Sequence, residues 1–89
     1  SLIEQSLHVV KTDSQGRILF GSVPFWSLLE LSEREHAGRP LQELFAQIRF
    51  ADSSHYSLLR ALLRGVLWKG QLDVQVIGGK SLCLAVSII

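Results

Sequence analysis

Asp52, Ser53 and His55 are the residues whose types could support nucleophilic catalysis, because a carboxylate, a serine and a histidine make up a hydrolytic triad. The three are near neighbours at the start of a predicted helix, which is a poor geometry for a triad. No glycine-rich turn that could form an oxyanion hole stands beside them. We therefore expect no enzyme activity.

Cys83 is the single cysteine of the chain, so no internal disulfide can form. A free thiol is typical of a reducing compartment, and we expect a cytoplasmic protein. The residues beside Cys83 on a predicted strand are small, which favours a buried or partly buried, inert thiol. No HxxH, CxxC or carboxylate cluster predicts a metal site.

Size and charge exclude several classes of function. We expect residues 1–89 to form one domain, because 47% of them are apolar and can supply a core. The net charge is +1 and the basic residues are scattered, so we expect no nucleic-acid binding. No apolar run reaches the roughly 20 residues of a membrane span, and no signal-peptide pattern is present. The chain has no Met, so we expect it to be a piece of a larger protein.

Two hairpin patterns lie at opposite ends of the chain. The first joins strands over 8–13 and 18–20 through a four-residue connection. Asp13 can accept hydrogen bonds from the turn, and Gly16 can adopt the positive φ that such a connection requires.

The second hairpin joins strands over 71–77 and 80–86 through Gly78 and Gly79. Apolar and polar residues alternate along both strands, which predicts one buried and one outer face. On the second strand the alternate residues that face the core are large, and those that face outward are small. The small residues are Cys83, Ala85 and Ser87.

Helical patterns fill the chain between the hairpins, from about 23 to 66, after a short helical pattern over 2–7. Ser22 is a predicted N-cap with Pro24 in the following turn, and Ser32 with Glu35 forms a predicted capping box. A further helix begins at Pro40, and the longest begins near 52–54. The predicted core-facing residues are Phe25, Leu28 and Leu29, then Leu41, Leu44, Phe45 and Ile48, then Leu58, Leu59, Leu62, Leu63 and Val66.

These patterns predict an α+β fold in which short helices cover one face of an antiparallel, four-stranded sheet. The space between the layers can hold a packed core or a small apolar ligand, because few polar groups converge there. The candidate pocket residues are Phe20, Phe25, Leu29, Leu44, Phe45, Tyr56, Leu59, Leu63, Leu72, Val74 and Leu84.

The order and spacing of these turns and caps resemble those of a PAS domain over nearly the whole chain. In the first half the resemblance is carried by Leu2-Ile3-Glu4-Gln5-Ser6, Asp13-Ser14-Gln15-Gly16-Arg17-Ile18, Leu29-Glu30-Leu31-Ser32 and Gly38-Arg39-Pro40-Leu41. In the second half it is carried by Leu62-Leu63-Arg64-Gly65, Trp68-Lys69-Gly70-Gln71 and Gly78-Gly79.

The resemblance implies a non-catalytic sensory or dimerisation module of a signalling protein, such as a histidine kinase, a cyclic-nucleotide cyclase or a transcriptional regulator. An output domain would then be covalently attached and would receive the signal through the termini. The alternative is a sensor that binds haem or a small apolar ligand. His55 lies roughly where haem-binding relatives place their axial ligand, although a solvent-facing histidine at a helix start is the favoured interpretation.

The chain departs from the resembled family in the number of predicted strands. The family has five strands, with the fifth between the first and the fourth, whereas the sequence predicts four. Three explanations stay open: the piece ends early, the last strand pairs directly with the first, or a neighbour fills the gap.

Self-association is the expected form of partnership. Leu2, Ile3 and Leu7 give the lead-in segment more apolar surface than a free terminus would keep exposed. Cys83, Ala85 and Ser87 give the outer sheet face a flat, weakly polar surface. We therefore expect a homodimer built from 2–10 and the outer face of 82–88, and no direct insertion into a membrane.

Overall fold

The computed structural model describes residues 8–89, so the lead-in helix expected over 2–7 lies outside the described residues. The elements in chain order are β1 (His8–Thr12), β2 (Ile18–Gly21), α1 (Val23–Leu29), α2 (Glu33–His36), a 3-10 helix (Leu41–Gln47), β3 (Ile48–Phe50), α3 (His55–Arg64), β4 (Trp68–Val76) and β5 (Ser81–Ile88).

The fold is α+β, with one five-stranded sheet in the order β2-β1-β5-β4-β3. β1 and β5 are parallel, and the other three pairings are antiparallel, so the sheet is mixed. The prediction of four strands in an antiparallel sheet is wrong on both counts. The last strand does pair directly with the first, and it therefore separates β1 from β4.

β3 is the strand that the sequence pattern missed. Ile48 continues the helical spacing of Leu41 and Leu44, but the 3-10 helix ends before it and Ile48 opens β3. Three residues are too few to present an alternating pattern, and Ile48 and Phe50 pair with Val76 and Val74 of β4.

The connection between β1 and β2 has the predicted chemistry. The Oδ1 atom of Asp13 accepts from the main-chain N–H groups of Gln15 and Arg17, each at 2.9 Å. Gly16 adopts a φ of 81°, which a residue with a Cβ rarely reaches. The turn is thus held by one carboxylate and one glycine.

Ser22 caps α1 as predicted and also anchors the helix to the sheet. Its Oγ accepts from the N–H of Phe25 at 3.3 Å and from the N–H of Val9 at 3.0 Å. The capping box at α2 does not form, because the side chain of Ser32 makes no capping hydrogen bond.

α3 packs against the sheet through a different face from the one expected. Leu58, Ala61 and Leu62 are buried, whereas Leu63 is 87% exposed and Val66 is 47% exposed. At 3.6 residues per turn, Leu63 lies about 140° around the helix from Leu58. One sheet cannot cover so wide an arc, and the prediction that Leu63 and Val66 face the core is wrong.

Residues of both layers form one core between the helices and the inner face of the sheet. On the strands it comprises Val10, Ile18, Leu72, Val74, Leu84, Val86 and Ile88, and on the helices Phe25, Trp26, Leu29, Leu41, Leu44, Leu58, Ala61 and Leu62. Within residues 8–89, no helix has the length and apolar character needed to cross a membrane.

Candidate functional site

The interior between the helices and the sheet is closed. The space bounded by Phe25, Leu41 and Val74, among others, has a cavity volume of about 10 Å³. A single water needs at least about that much room, so the interior is a packed core in this conformation. Six of the predicted pocket residues are buried in this core, namely Phe25, Leu29, Leu44, Leu72, Val74 and Leu84, and Phe45 and Leu59 are partly buried.

Three of the predicted pocket residues lie outside the core, and their assignment to a pocket is wrong. Phe20 is 46% exposed because its partner in the sheet register is Lys11, which points away from the helices. Tyr56 is 54% exposed and Leu63 is 87% exposed, because both lie on the side of α3 opposite Leu58.

The groups that could have formed a triad are not arranged as one. The Oδ1 atom of Asp52 accepts from both the main-chain N–H and the hydroxyl of Ser54. The Nδ1 atom of His55 lies 2.8 Å from the main-chain oxygen of Asp52, so this nitrogen carries the hydrogen and donates it. The hydrogen bonds from the hydroxyl and then the N–H of Ser54, with the nearby His55, hold the pKa of Asp52 below its ordinary value.

The ring of His55 belongs to an aromatic cluster at the partly exposed edge of the fold. It stacks on Phe50 with ring centroids 4.1 Å apart and planes 6° apart, and its centroid is 4.3 Å from that of Tyr56. Phe50 in turn meets Phe45 edge-on at 5.2 Å. The sequence did not predict this cluster, because Phe50 belongs to the strand that its pattern missed.

The outer face of the sheet, defined as the face away from the helices, is where the structure leaves space. Ala85 and Ser87 are half-buried there, on the outward-facing positions that the sequence predicted. Cys83 lies on the same face but is exposed, so the expectation of a buried or partly buried thiol is wrong. An open groove of about 820 Å³ crosses this face, and its lining is mainly apolar. The lining residues are Val9, Lys11, Leu67, Trp68, Lys69, Ala85, Ser87, Ile88 and Ile89.

The strand register sets the charge of the outer-face groove. Ser87 is the partner of Lys11 on one side and of Lys69 on the other, so a lysine lies on each strand that neighbours Ser87. Lys11 also lies over the ring of Phe20, with its Nζ 5.7 Å from the ring centroid. Among the described residues of the lining no side chain is a carboxylate, and this part of the groove is therefore apolar with a positive margin.

Sequence reasoning placed Ala85, Ser87 and, within 2–10, Val9 on the contact surface but missed the other residues of this groove. Leu67 and Ile89 lie outside the predicted strands, and both are largely exposed, at 75% and 60%. Lys11 becomes a neighbour of Ser87 only through the parallel pairing of β1 with β5, which no local pattern encodes. Lys69 becomes one because the antiparallel β4–β5 pairing extends beyond the predicted strand over 71–77.

Residues 8–89 contain no group of three or more His, Cys, Asp or Glu side chains that could hold a metal ion. Comparison of the sequence with models of known protein families gives no match, and comparison with curated proteins gives none either.

Proposed function

We propose that this chain is a non-catalytic regulatory module of the PAS type, acting as a sensory and dimerisation domain within a cytoplasmic signalling protein. The observation that carries the proposal is the strand order β2-β1-β5-β4-β3. The resemblance in sequence implies a fifth strand between the first and the fourth, and β5 lies between β1 and β4.

The central position of β1 and β5 supports a role in relaying signals. The two strands that lead to the ends of the chain are parallel neighbours, with Val10 opposite Val86 and Thr12 opposite Ile88. Val10 and Val86 are fully buried against the helices. A change in the packing of the core would therefore act directly on the strands that connect to any attached output domain.

The outer-face groove supports a homodimer as the working form. Its floor is formed by Val9 and Ala85, and Leu67 and Ile89 add largely exposed apolar surface. In the proposed dimer, residues 2–10 of one copy contact the outer face of 82–88 of the other. The lead-in segment carries Leu2, Ile3 and Leu7, which match the apolar floor, and Glu4, which complements the lysines at its margin.

Sedimentation equilibrium at micromolar concentration tests the proposal. We expect a mass twice the 9.9 kDa of one chain. Ala85→Glu, at the centre of the outer face, and Leu2→Glu should each give monomers, because burying a carboxylate in an interface costs more desolvation energy than a nearby lysine returns. Ala51→Glu makes the same change at an exposed site away from the groove and should leave the dimer intact. A monomeric parent chain, or a dimer that tolerates both Ala85→Glu and Leu2→Glu, would refute the interface.

A further inference from the structure

α3 carries a second apolar face that points away from the core. Leu63 is 87% exposed and Tyr56 is 54% exposed, and Leu59 lies half-buried beside them. The core takes up Leu58 and Leu62 of the same helix. Of the three outward side chains, Leu59 is partly covered, Tyr56 contacts the ring of His55, and Leu63 is left almost fully open.

The three residues form a continuous stripe. Their spacing is i, i+3 and i+7, which places Tyr56, Leu59 and Leu63 within about 60° of arc on a helix of 3.6 residues per turn. An apolar stripe with this spacing is typical of a helix that packs against another helix. We call these three residues the outward stripe.

Two arginines lie along one side of the outward stripe. Arg60 and Arg64 are exposed and lie one turn apart. The ion pair found within residues 8–89 joins Arg39 to Glu43, so neither Arg60 nor Arg64 is paired with a carboxylate of the described chain. The stretch 53–72 contains no Asp or Glu at all.

We propose that the outward stripe with Arg60 and Arg64 is a docking surface for an amphipathic, acidic helix of a partner protein. Such a helix would place apolar side chains on Tyr56 and Leu63 and carboxylates on the two guanidinium groups. Arginine suits this role because its planar fork binds a carboxylate through two parallel hydrogen bonds. A membrane surface fits less well, because α3 has ten residues and its stripe has three apolar side chains, a small area for interfacial binding.

A synthetic 18-residue helix with leucines on one face and glutamates flanking them is the probe, titrated into isotope-labelled protein and followed by amide chemical shifts. We expect the shifts to concentrate over 55–67 and the affinity of Leu63→Glu to fall at least tenfold. Val23→Glu is the matched control, because Val23 is 78% exposed on α1, and it should bind like the parent. The double variant Arg60→Glu/Arg64→Glu should lose the glutamate peptide and gain the same peptide with lysine in place of glutamate.

Three results would overturn the proposal. The first is binding that is equally strong after Leu63→Glu. The second is binding to anionic phospholipid vesicles that depends on Leu63 while the peptide does not bind. The third is a fall in the sedimentation mass of Leu63→Glu, which would make a second copy of this chain the occupant. A melting temperature of Leu63→Glu close to that of the parent shows that the variant is folded in each of these measurements.

Discussion

Leu58→Ala and Leu63→Ala make the same chemical change on the same helix, and the structure predicts opposite outcomes for them. Leu58 is fully buried between α3 and the sheet, whereas Leu63 is 87% exposed. Both substitutions change the intrinsic helix propensity by the same small amount. The difference between the two variants therefore measures burial alone.

The expected magnitudes follow from these exposures. Removal of a buried leucine side chain costs about 2–5 kcal/mol of unfolding free energy, through lost transfer energy and the cavity left behind. Truncation of an exposed side chain changes the unfolding free energy by no more than about 0.5 kcal/mol. For a domain of this size, 1 kcal/mol corresponds to about 4–8 °C in melting temperature. Leu58→Ala should therefore melt at least about 8 °C below the parent, and Leu63→Ala within a few degrees of it.

Urea unfolding followed by tryptophan fluorescence provides the assay, with circular dichroism as a second probe of the same transition. Leu58→Ala should lower the midpoint without changing the slope, because the surface exposed on unfolding is nearly constant. Leu62→Ala, which is also buried, should resemble Leu58→Ala. Equal losses in Leu58→Ala and Leu63→Ala, or a larger loss in Leu63→Ala, would refute the orientation of α3 and with it the outward stripe.

Three further predictions rest on single contacts. Gly21→Ala should lower the unfolding free energy by about 1–3 kcal/mol in a urea titration, because its Cβ would lie 2.6 Å from the buried indole of Trp26. Gly70→Ala should cost less, because its Cβ would meet only the outer edge of the half-buried ring of Trp68; equal losses would contradict this. Asp52→Asn should lower stability at pH 7, and the difference from the parent should disappear as the pH falls below about 3.8. The reason is that a carboxyl group with a depressed folded-state pKa stabilises the fold above its unfolded pKa and loses that contribution on protonation. A difference that is constant from pH 7 to pH 2.5 would exclude the carboxylate as its source. The purified chain should show no Soret or flavin band in a visible absorbance spectrum, because the closed core has no room for either group; a band that stays with the protein through gel filtration would contradict the closed core.

Local patterns predicted the parts of this fold that depend on neighbouring residues. Asp13 and Gly16 indicated the first turn, and Ser22 indicated the cap of α1. The alternation along β5 distinguished the residues that face the core from those that face outward. Each of these signals lies within fewer than ten consecutive residues. The residues that interact in the fold are therefore the same ones that form the sequence pattern.

Features that depend on distant residues escaped prediction. The parallel pairing of β1 with β5 joins segments more than 70 residues apart, and no local residue records it. The orientation of α3 is a similar case, because Leu58, Leu59, Leu62 and Leu63 are all apolar and the helix alone does not determine which of them meet the sheet. The apolar residues of α3 cover more of the helix than the sheet can contact. The sequence therefore predicts an apolar face, but the position of the sheet determines which of these residues are buried.

The candidate dimer surface could be predicted only on the strand that has a clear parity. Ala85 and Ser87 are small residues opposite a row of large ones, so their exposure follows from the period of the strand. The two lysines that give the outer-face groove its positive margin lie on different strands, and each has an unremarkable sequence context. Lys11 and Lys69 lie on either side of Ser87 only because of the sheet register.

β5 links the core to the outer face through its own geometry. Leu84, Val86 and Ile88 point into the core and are nearly inaccessible, while Ala85 and Ser87, between them on the same strand, point into the outer-face groove. Because successive residues of a strand point to opposite faces, a shift of the backbone that relieves the inner row must also move the outer row. The close-packed core has no empty volume into which the inner side chains could move without a shift of the strand. A module of this construction can thus change its proposed dimer contact in response to events in its core without any catalytic group, which is the behaviour that the proposed regulatory role requires.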